Sequence, residues 1–146
     1  MTYQRPQLRL APSPTAESVA FWTGGRNGEL LITRCHGCGH FFHPPGPACW
    51  RCRSTDVAPE AVSGRAAVAA YTVNRQNWIP GFEPPYIVAM VELAEEPDTR
   101  LMSNVVDVTP NEISVRRLGL RAPRGRCDAP LPRADDVDGH ARAVPR

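Results

Sequence analysis

Two Cys-x-x-Cys pairs, Cys35-His36-Gly37-Cys38 and Cys49-Trp50-Arg51-Cys52, stand ten residues apart. Four thiolates in that arrangement can close a tetrahedral shell around one Zn²⁺, each sulfur about 2.3 Å from the metal. A full thiolate shell leaves no position for water, so this metal is expected to hold the fold and do no chemistry. Gly37 and Gly39 suit the first knuckle, because glycine tolerates a positive φ and lets backbone N–H groups approach the sulfurs. The second knuckle has Arg51 and Arg53 instead. Together with Arg34 they either offset the surplus negative charge of a tetrathiolate zinc or are ordinary solvated side chains. His36, His40 and His43 crowd the pairs, and beside four thiolates they are read as surface or supporting residues, not ligands.

Other uses of the cysteines fit less well. A disulfide framework wants an even count and a secreted chain, whereas this sequence has five cysteines and opens on the polar Met1-Thr2-Tyr3-Gln4-Arg5. A redox pair wants a single Cys-x-x-Cys at a strand–helix junction, not two pairs framing a proline-rich hairpin. Cys127 stands alone in a polar tail and acquires no role. At 146 residues and 42% hydrophobic, the chain can bury one modest core beside a metal module. Its longest apolar run, around Tyr86 to Val91, is far short of the roughly 20 residues of a membrane span. The expectation is a soluble cytoplasmic protein in a reducing compartment. All 17 basic residues are arginine, which reads as GC-rich codon usage and not as a binding signature.

The elements that must position the cysteines follow from pattern. Residues 1–14 form an arm broken by Pro6, Pro12 and Pro14. Thr15 can cap a short helix with Val19 and Trp22 on one face, ended by Gly24-Gly25. Leu30 to Arg34 alternates as a strand into the first knuckle, and Phe41-Phe42 is its return. This helix and zinc ribbon occupy residues 15–55, and Arg53 to Ser63 reads as a polar linker. Residues 62–120 then read as a small β-barrel. In its first strand, Gly64 to Gln76, Ala67, Ala69, Tyr71 and Val73 share one face. In the second, Tyr86 to Leu93, Ile87, Ala89, Val91 and Leu93 do so. Leu101 to Val108 is a third strand, Thr109-Pro110-Asn111-Glu112 a capping box, and Ile113 to Leu120 a doubtful fourth strand. The apolar loop Asn77 to Pro85 carries Trp78, Phe82 and Pro84, which either close the barrel mouth or contact a partner or ligand.

Taken in order, several stretches resemble the acyl-CoA-associated zinc-ribbon/OB-fold family (DUF35-type). They are Phe21-Trp22 with Gly28-Glu29-Leu30; Arg34 to Gly39; His43-Pro44-Pro45; Cys49 to Cys52; Tyr71-Thr72-Val73; and Gly81 to Tyr86 running into Val91-Glu92-Leu93. The resemblance covers roughly residues 16 to 115. It implies a mainly β protein with a short N-terminal helix, a rubredoxin-like zinc ribbon on Cys35, Cys38, Cys49 and Cys52, and an OB-fold. It also implies a non-catalytic accessory subunit that binds a thiolase-superfamily enzyme (thiolase, acyltransferase or lipid-transfer-type aldolase) and helps hold an acyl-CoA, as in steroid breakdown. Trp78, Phe82 and Pro84 are the candidate contacts.

The chain departs from that family after about Ser114. Residues 116–146 are rich in Arg, Ala, Pro, Gly and Asp and lose strand-like alternation, so a barrel that needs five strands reads as incomplete at the C-terminus. Either the coding sequence shifts frame there, which is preferred, or 121–146 is a disordered tail. Translating the other frames beyond Ser114 separates the two: an alternating β-strand in one of them supports the shift. A nucleic-acid-binding module is the alternative function, since zinc ribbons and OB-folds both serve it. Charge argues against it: residues 64–112 hold three arginines against seven acids, where a strand-binding groove is basic. An enzyme in its own right is disfavoured as well, because no nucleophile–base pair falls in the barrel.

Overall fold

The computed structural model describes residues 13–78, 83–115, 120–121 and 140–143. β1 (Leu30–Cys35) lies at the centre of a small antiparallel sheet, with β2 (Phe41–Phe42) on one side and β3 (Val57–Val62) on the other. β3 falls where the sequence reads as a polar linker, and it pairs with β1 without interruption from Leu30↔Val62 to Cys35↔Val57. Pattern misses it because Val57-Ala58-Pro59-Glu60-Ala61-Val62 does not alternate and contains a proline. Pro59 is tolerated because β3 is an edge strand of this sheet, where a missing N–H breaks no ladder.

α1 (Val19–Thr23) has Ser18 at its N-cap, without a side-chain cap bond, and not Thr15 as the sequence suggests; Thr15 lies in the preceding turn, where its carbonyl accepts from the Val19 N–H at 3.0 Å. Gly24-Gly25 does not end the helical run. The chain tightens into a 3₁₀ turn, Gly24–Asn27, and stops at Gly28, which takes the left-handed conformation with φ 73°. Val19 is exposed, and the side chain turned to the core is Phe21, with Trp22 edge-on to it at 5.0 Å. The close contact that seats the run on β1 is Gly24: a Cβ there would lie 2.9 Å from both the Glu29 carbonyl oxygen and Leu31 Cγ.

The second sheet begins with β4 (Ala66–Asn74), β5 (Tyr86–Leu93) and β6 (Arg100–Val106), joined antiparallel. β5 alternates as its sequence predicts, with Ile87, Ala89, Val91 and Leu93 buried. β4 does not keep one face inward. A bulge between Val68 and Ala70 shifts its register, so Ala66 and Val68 are buried before it, while Val73 packs on the core beyond it. One extra residue swaps the faces of a period-two strand, which uninterrupted alternation from Ala67 to Val73 could not anticipate. After β6, Asp107 adopts φ 61° and Thr109 and Glu112 form one half of the expected box: the Thr109 N–H and hydroxyl both donate to Glu112 Oε2, at 2.9 and 2.7 Å, while the Glu112 N–H donates to the Thr109 carbonyl at 3.0 Å and not to its hydroxyl. Ile113 is buried in the core without belonging to a strand. Two short strands, β7 (Leu120–Arg121) and β8 (His140–Ala143), extend the order to β4-β5-β6-β8-β7, and β7 returns to β4 through one pair, Ala66↔Leu120. The place expected to lack a strand is thus taken by backbone pairing that needs no apolar alternation. The remainder of the tail, 122–139 and 144–146, lies outside the described residues.

The two sheets share a core. Ile32 of β1 is buried in the same cluster as Val68, Ile87, Val91, Leu93 and Val105, and Leu30, Phe41, Val62 and Phe21 pack against it. Polar bonds close the seam. The Thr99 hydroxyl donates to the Phe41 carbonyl at 2.7 Å, the Ser63 N–H donates to Glu95 Oε1 at 2.7 Å, and His40 Nδ1 lies 2.9 Å from Glu96 Oε2.

Gly24→Ala must push the Leu31 side chain and the Glu29 carbonyl aside and is expected to cost about 1–3 kcal/mol. Gly25→Ala meets nothing within 4 Å and is expected to be neutral or stabilising by up to about 1 kcal/mol. Chemical denaturation of the two variants checks the contrast.

Candidate metal centre

Both knuckles use the same backbone bonds. In the first, the Gly39 N–H donates to the Cys35 carbonyl at 2.7 Å and the Cys35 N–H to the His40 carbonyl at 2.9 Å. In the second, the Arg53 N–H donates to the Cys49 carbonyl and the Cys49 N–H to the Ser54 carbonyl, both at 2.8 Å. The residue after each second cysteine must turn left-handed to close the loop. Gly39 does so at φ 74° and Arg53 at φ 62°, so an arginine does the work of the glycine that the second knuckle lacks. A side chain in that region costs about 1–2 kcal/mol.

This symmetry brings all four sulfurs within 4.8 Å of one another, with Cys35 and Cys49 buried and Cys38 and Cys52 exposed. The Cys35–Cys52 and Cys38–Cys49 sulfur separations are 3.4 and 3.7 Å. A tetrahedron with zinc–sulfur bonds of about 2.3 Å has edges of about 3.8 Å, so the donor set fits a zinc ion by both chemistry and spacing. Burial would raise the Cys49 thiol, but hydrogen bonds from the Cys52 and Arg51 backbone and from the Cys38 and Cys35 sulfurs bring it down to about 6. The Ser54 backbone favours the Cys52 thiolate, yet hydrogen bonding with Cys35, Cys38 and Cys49, together with burial, pushes that thiol up to about 12. The sulfurs thus compete for protons that a divalent cation displaces.

The neighbours divide by role. Arg34 stitches the ribbon together: Nη1 donates to Glu60 Oε2 at 2.9 Å, Nε donates to the Gly39 carbonyl at 3.3 Å, and the guanidinium lies 5.2 Å from the Phe41 ring centre. The Glu60 carboxyl is held below its usual range by this Arg34 bond, with His36 adding to it. His36 bridges Asp56 and Glu60 at 3.0 and 3.1 Å, so it straps the first knuckle to β3 and the residue before it. Arg51 and Arg53 are exposed. His40 is buried at the seam, edge-on to Trp50 at 5.0 Å, and its partner Glu96 lies 56 residues away; that separation is why sequence reading missed its role. His43 packs on Phe21 at 4.5 Å, and burial lowers its pKa.

The candidate contact loop is only partly in view. Trp78 is 71% exposed, with its indole N–H donating to Asn74 Oδ1 at 3.0 Å, and Pro84 is half-buried. Phe82 lies outside the described residues. Sequence reading missed Met102, 73% exposed on the outer face of β6, where it is in register with Met90 and Ala70.

Residues 22–58 match the model of the ChsH2 rubredoxin-like zinc ribbon domain, and residues 59–122 that of the ChsH2 C-terminal OB-fold domain. A DUF35 domain-containing scaffold protein of Pyrococcus furiosus is 36% identical over 96 residues, covering 64% of this chain and 68% of the relative. The chain belongs to the ChsH2-type zinc-ribbon/OB-fold (DUF35) family. Among solved structures, the Ltp2-ChsH2(DUF35) aldolase matches with a TM-score of 0.67 at 34% identity, over 75% of this chain and 84% of that one. A DUF35 protein of Sulfolobus solfataricus shares the fold, with a TM-score of 0.57 at 14% identity over 85% of this chain and 82% of that one. A probable enoyl-CoA hydratase alpha subunit of Thermomonospora curvata is 36% identical over 78% of this chain. The 3-oxo-4,17-pregnadiene-20-carboxyl-CoA hydratase alpha subunit of Mycobacterium tuberculosis is 30% identical over 75% of it. The chain spans only about a third of the length of these two hydratase subunits, 35% and 34%. The DUF35 chain accordingly carries a zinc ribbon with four cysteines placed for the metal, followed by an OB-fold. No helix among the described residues is long and apolar enough to cross a membrane.

Replacing Cys35 and Cys49 together by Ser is expected to abolish zinc in metal analysis. Because binding energy of structural zinc is folding energy, it should also lower the thermal midpoint of the barrel that shares the ribbon's core. Arg53→Gly, by contrast, should keep zinc and raise stability by up to about 1 kcal/mol, since it removes the left-handed side chain at some cost in unfolded-state entropy.

Proposed function

We propose that this DUF35 chain is a non-catalytic accessory subunit that binds a thiolase-superfamily enzyme in the cytoplasm and helps hold its acyl-CoA substrate. Zn²⁺ on Cys35, Cys38, Cys49 and Cys52 keeps the ribbon folded, and the OB-fold and the loop bearing Trp78, Phe82 and Pro84 meet the partner. The observation that carries the reading is the match to the Ltp2-ChsH2(DUF35) aldolase over most of that chain's length, a protein whose name couples a DUF35 unit to a second component. The scaffold protein of Pyrococcus furiosus points the same way, and the pregnadiene-carboxyl-CoA hydratase subunit supports a steroid acyl-CoA as the substrate class.

The site chemistry agrees. Four thiolates around zinc fill its coordination shell, so no water is activated there. The described histidines of the ribbon are engaged in straps and packing, not poised as bases over a cleft. Exposed aromatic side chains in a proline-rich loop are the residue type that anchors protein interfaces, and Trp78 is oriented by its bond to Asn74.

Co-purification with a thiolase-superfamily partner is the test. Alone, the chain should show no thiolase, acyltransferase or aldolase activity. Trp78→Ala combined with Phe82→Ala should weaken the complex at least tenfold, about 1.4 kcal/mol, with zinc content and circular dichroism unchanged. Tight, salt-sensitive binding of short oligonucleotides with no thiolase association would instead establish a nucleic-acid module.

A further inference from the structure

We propose that the four sulfurs of the ribbon are a site of reversible oxidation by peroxides, at which the metal is exchanged for two disulfides, Cys35–Cys52 and Cys38–Cys49. In each pair the exposed sulfur is oxidised first and the buried one closes the bond. Exposure divides the set in this way: Cys38 and Cys52, the second cysteine of each knuckle, are exposed, whereas Cys35 and Cys49 are buried. Cys52 lies 3.4 Å from Cys35, and Cys38 lies 3.7 Å from Cys49. Each exposed sulfur therefore has a buried sulfur of the opposite knuckle at contact distance. A thiolate that an oxidant can reach, beside a second sulfur that can resolve the product, is the arrangement in which oxidation stops at a disulfide.

With metal bound all four sulfurs are thiolates, so access ranks them. A peroxide reacts at the Cys52 thiolate: an S–O bond forms, the O–O bond breaks, and the sulfur gives up two electrons to leave a sulfenic acid and hydroxide. The Cys35 thiolate then attacks that sulfur, the S–S bond forms, and the S–O bond breaks with loss of a second hydroxide. A second peroxide does the same at Cys38 and Cys49. Two peroxides thus take four electrons from four thiolates, and the ribbon has no ligand left for zinc. Both new bonds join one knuckle to the other, so the ribbon stays closed without its metal, whereas bonds inside each Cys-x-x-Cys pair would leave the knuckles unconnected. The barrel keeps its anchor as well. The Cys35 N–H donates to the His40 carbonyl at 2.9 Å, and His40 and Phe41 carry the seam bonds to Glu96 and Thr99.

Hydrogen peroxide titration of the zinc-loaded full chain tests the exchange, with a chromophoric chelator reading the metal and tandem mass spectrometry of unreduced digests reading the bonds. One zinc should leave for two peroxides consumed, Cys35–Cys52 and Cys38–Cys49 should be the main products, and dithiothreitol followed by zinc should restore the loaded chain. In a brief exposure with dimedone, which traps sulfenic acids, the label should fall on Cys38 and Cys52. The oxidised chain should melt above the reduced chain stripped of zinc by chelation, because only the former has its knuckles joined. Any other main pairing among the five cysteines overturns the proposal, as does retention of zinc in excess peroxide or loss that dithiothreitol and zinc do not reverse. Label chiefly on Cys35 and Cys49, or a melting midpoint no higher than that of the stripped chain, overturns it too.

Discussion

β1 is the strand on which everything else depends, because its six residues serve two cores at once. Its last residue, Cys35, is buried with Phe42 and Cys49 in the small cluster around the sulfurs, and Ile32 is buried in the barrel core. A ribbon of this size has few apolar contacts of its own, so metal–ligand bonds stand in for a core. The other half of β1 is secured by the larger barrel. Each unit therefore completes the burial of the other, and the seam bonds Thr99–Phe41 and His40–Glu96 fix their relative orientation.

The electrostatics of the ribbon follow from this arrangement. A tetrathiolate zinc carries surplus negative charge, and sequence reading offered Arg34, Arg51 and Arg53 as compensation or as solvated bystanders. The structure gives them separate duties. Arg34 is tied to Glu60 across the β1–β3 ladder, Arg53 closes a knuckle by its backbone, and Arg51 and Arg53 both present their side chains to solvent. The straps from His36 and Arg34 are substantially exposed, and such pairs contribute little energy individually; their effect is to hold β3 in register.

The outer surface of the OB-fold has features that a folding argument does not require. Trp78 and Met102 are large apolar side chains left in solvent, while the inward faces of β5 and β6 are filled by smaller aliphatic residues. Single exposed apolar residues are ordinary. The Trp78 indole is oriented by its hydrogen bond to Asn74, which lowers the entropic cost of engaging a partner.

What the sequence determined by itself was whatever is encoded over short spans. The four cysteines, the alternation of β5, the Glu112 half of the capping box at Thr109 and the glycine of the first knuckle are each decided by residues within a few positions of one another, where spacing and backbone preference act directly. The tertiary structure decided what depends on partners far along the chain. β3 exists because β1 needs a second neighbour, although Pro59 hides it from pattern. The β4 bulge reverses which residues face inward, and Phe21 takes the place expected of Val19 because Gly24 lets the helix settle on Leu31. β7 and β8 join the second sheet through backbone bonds, which carry no hydrophobic signature for a sequence to display. Arg53 adopts a conformation that its side chain disfavours, because closing the second knuckle over the sulfurs outweighs the local cost.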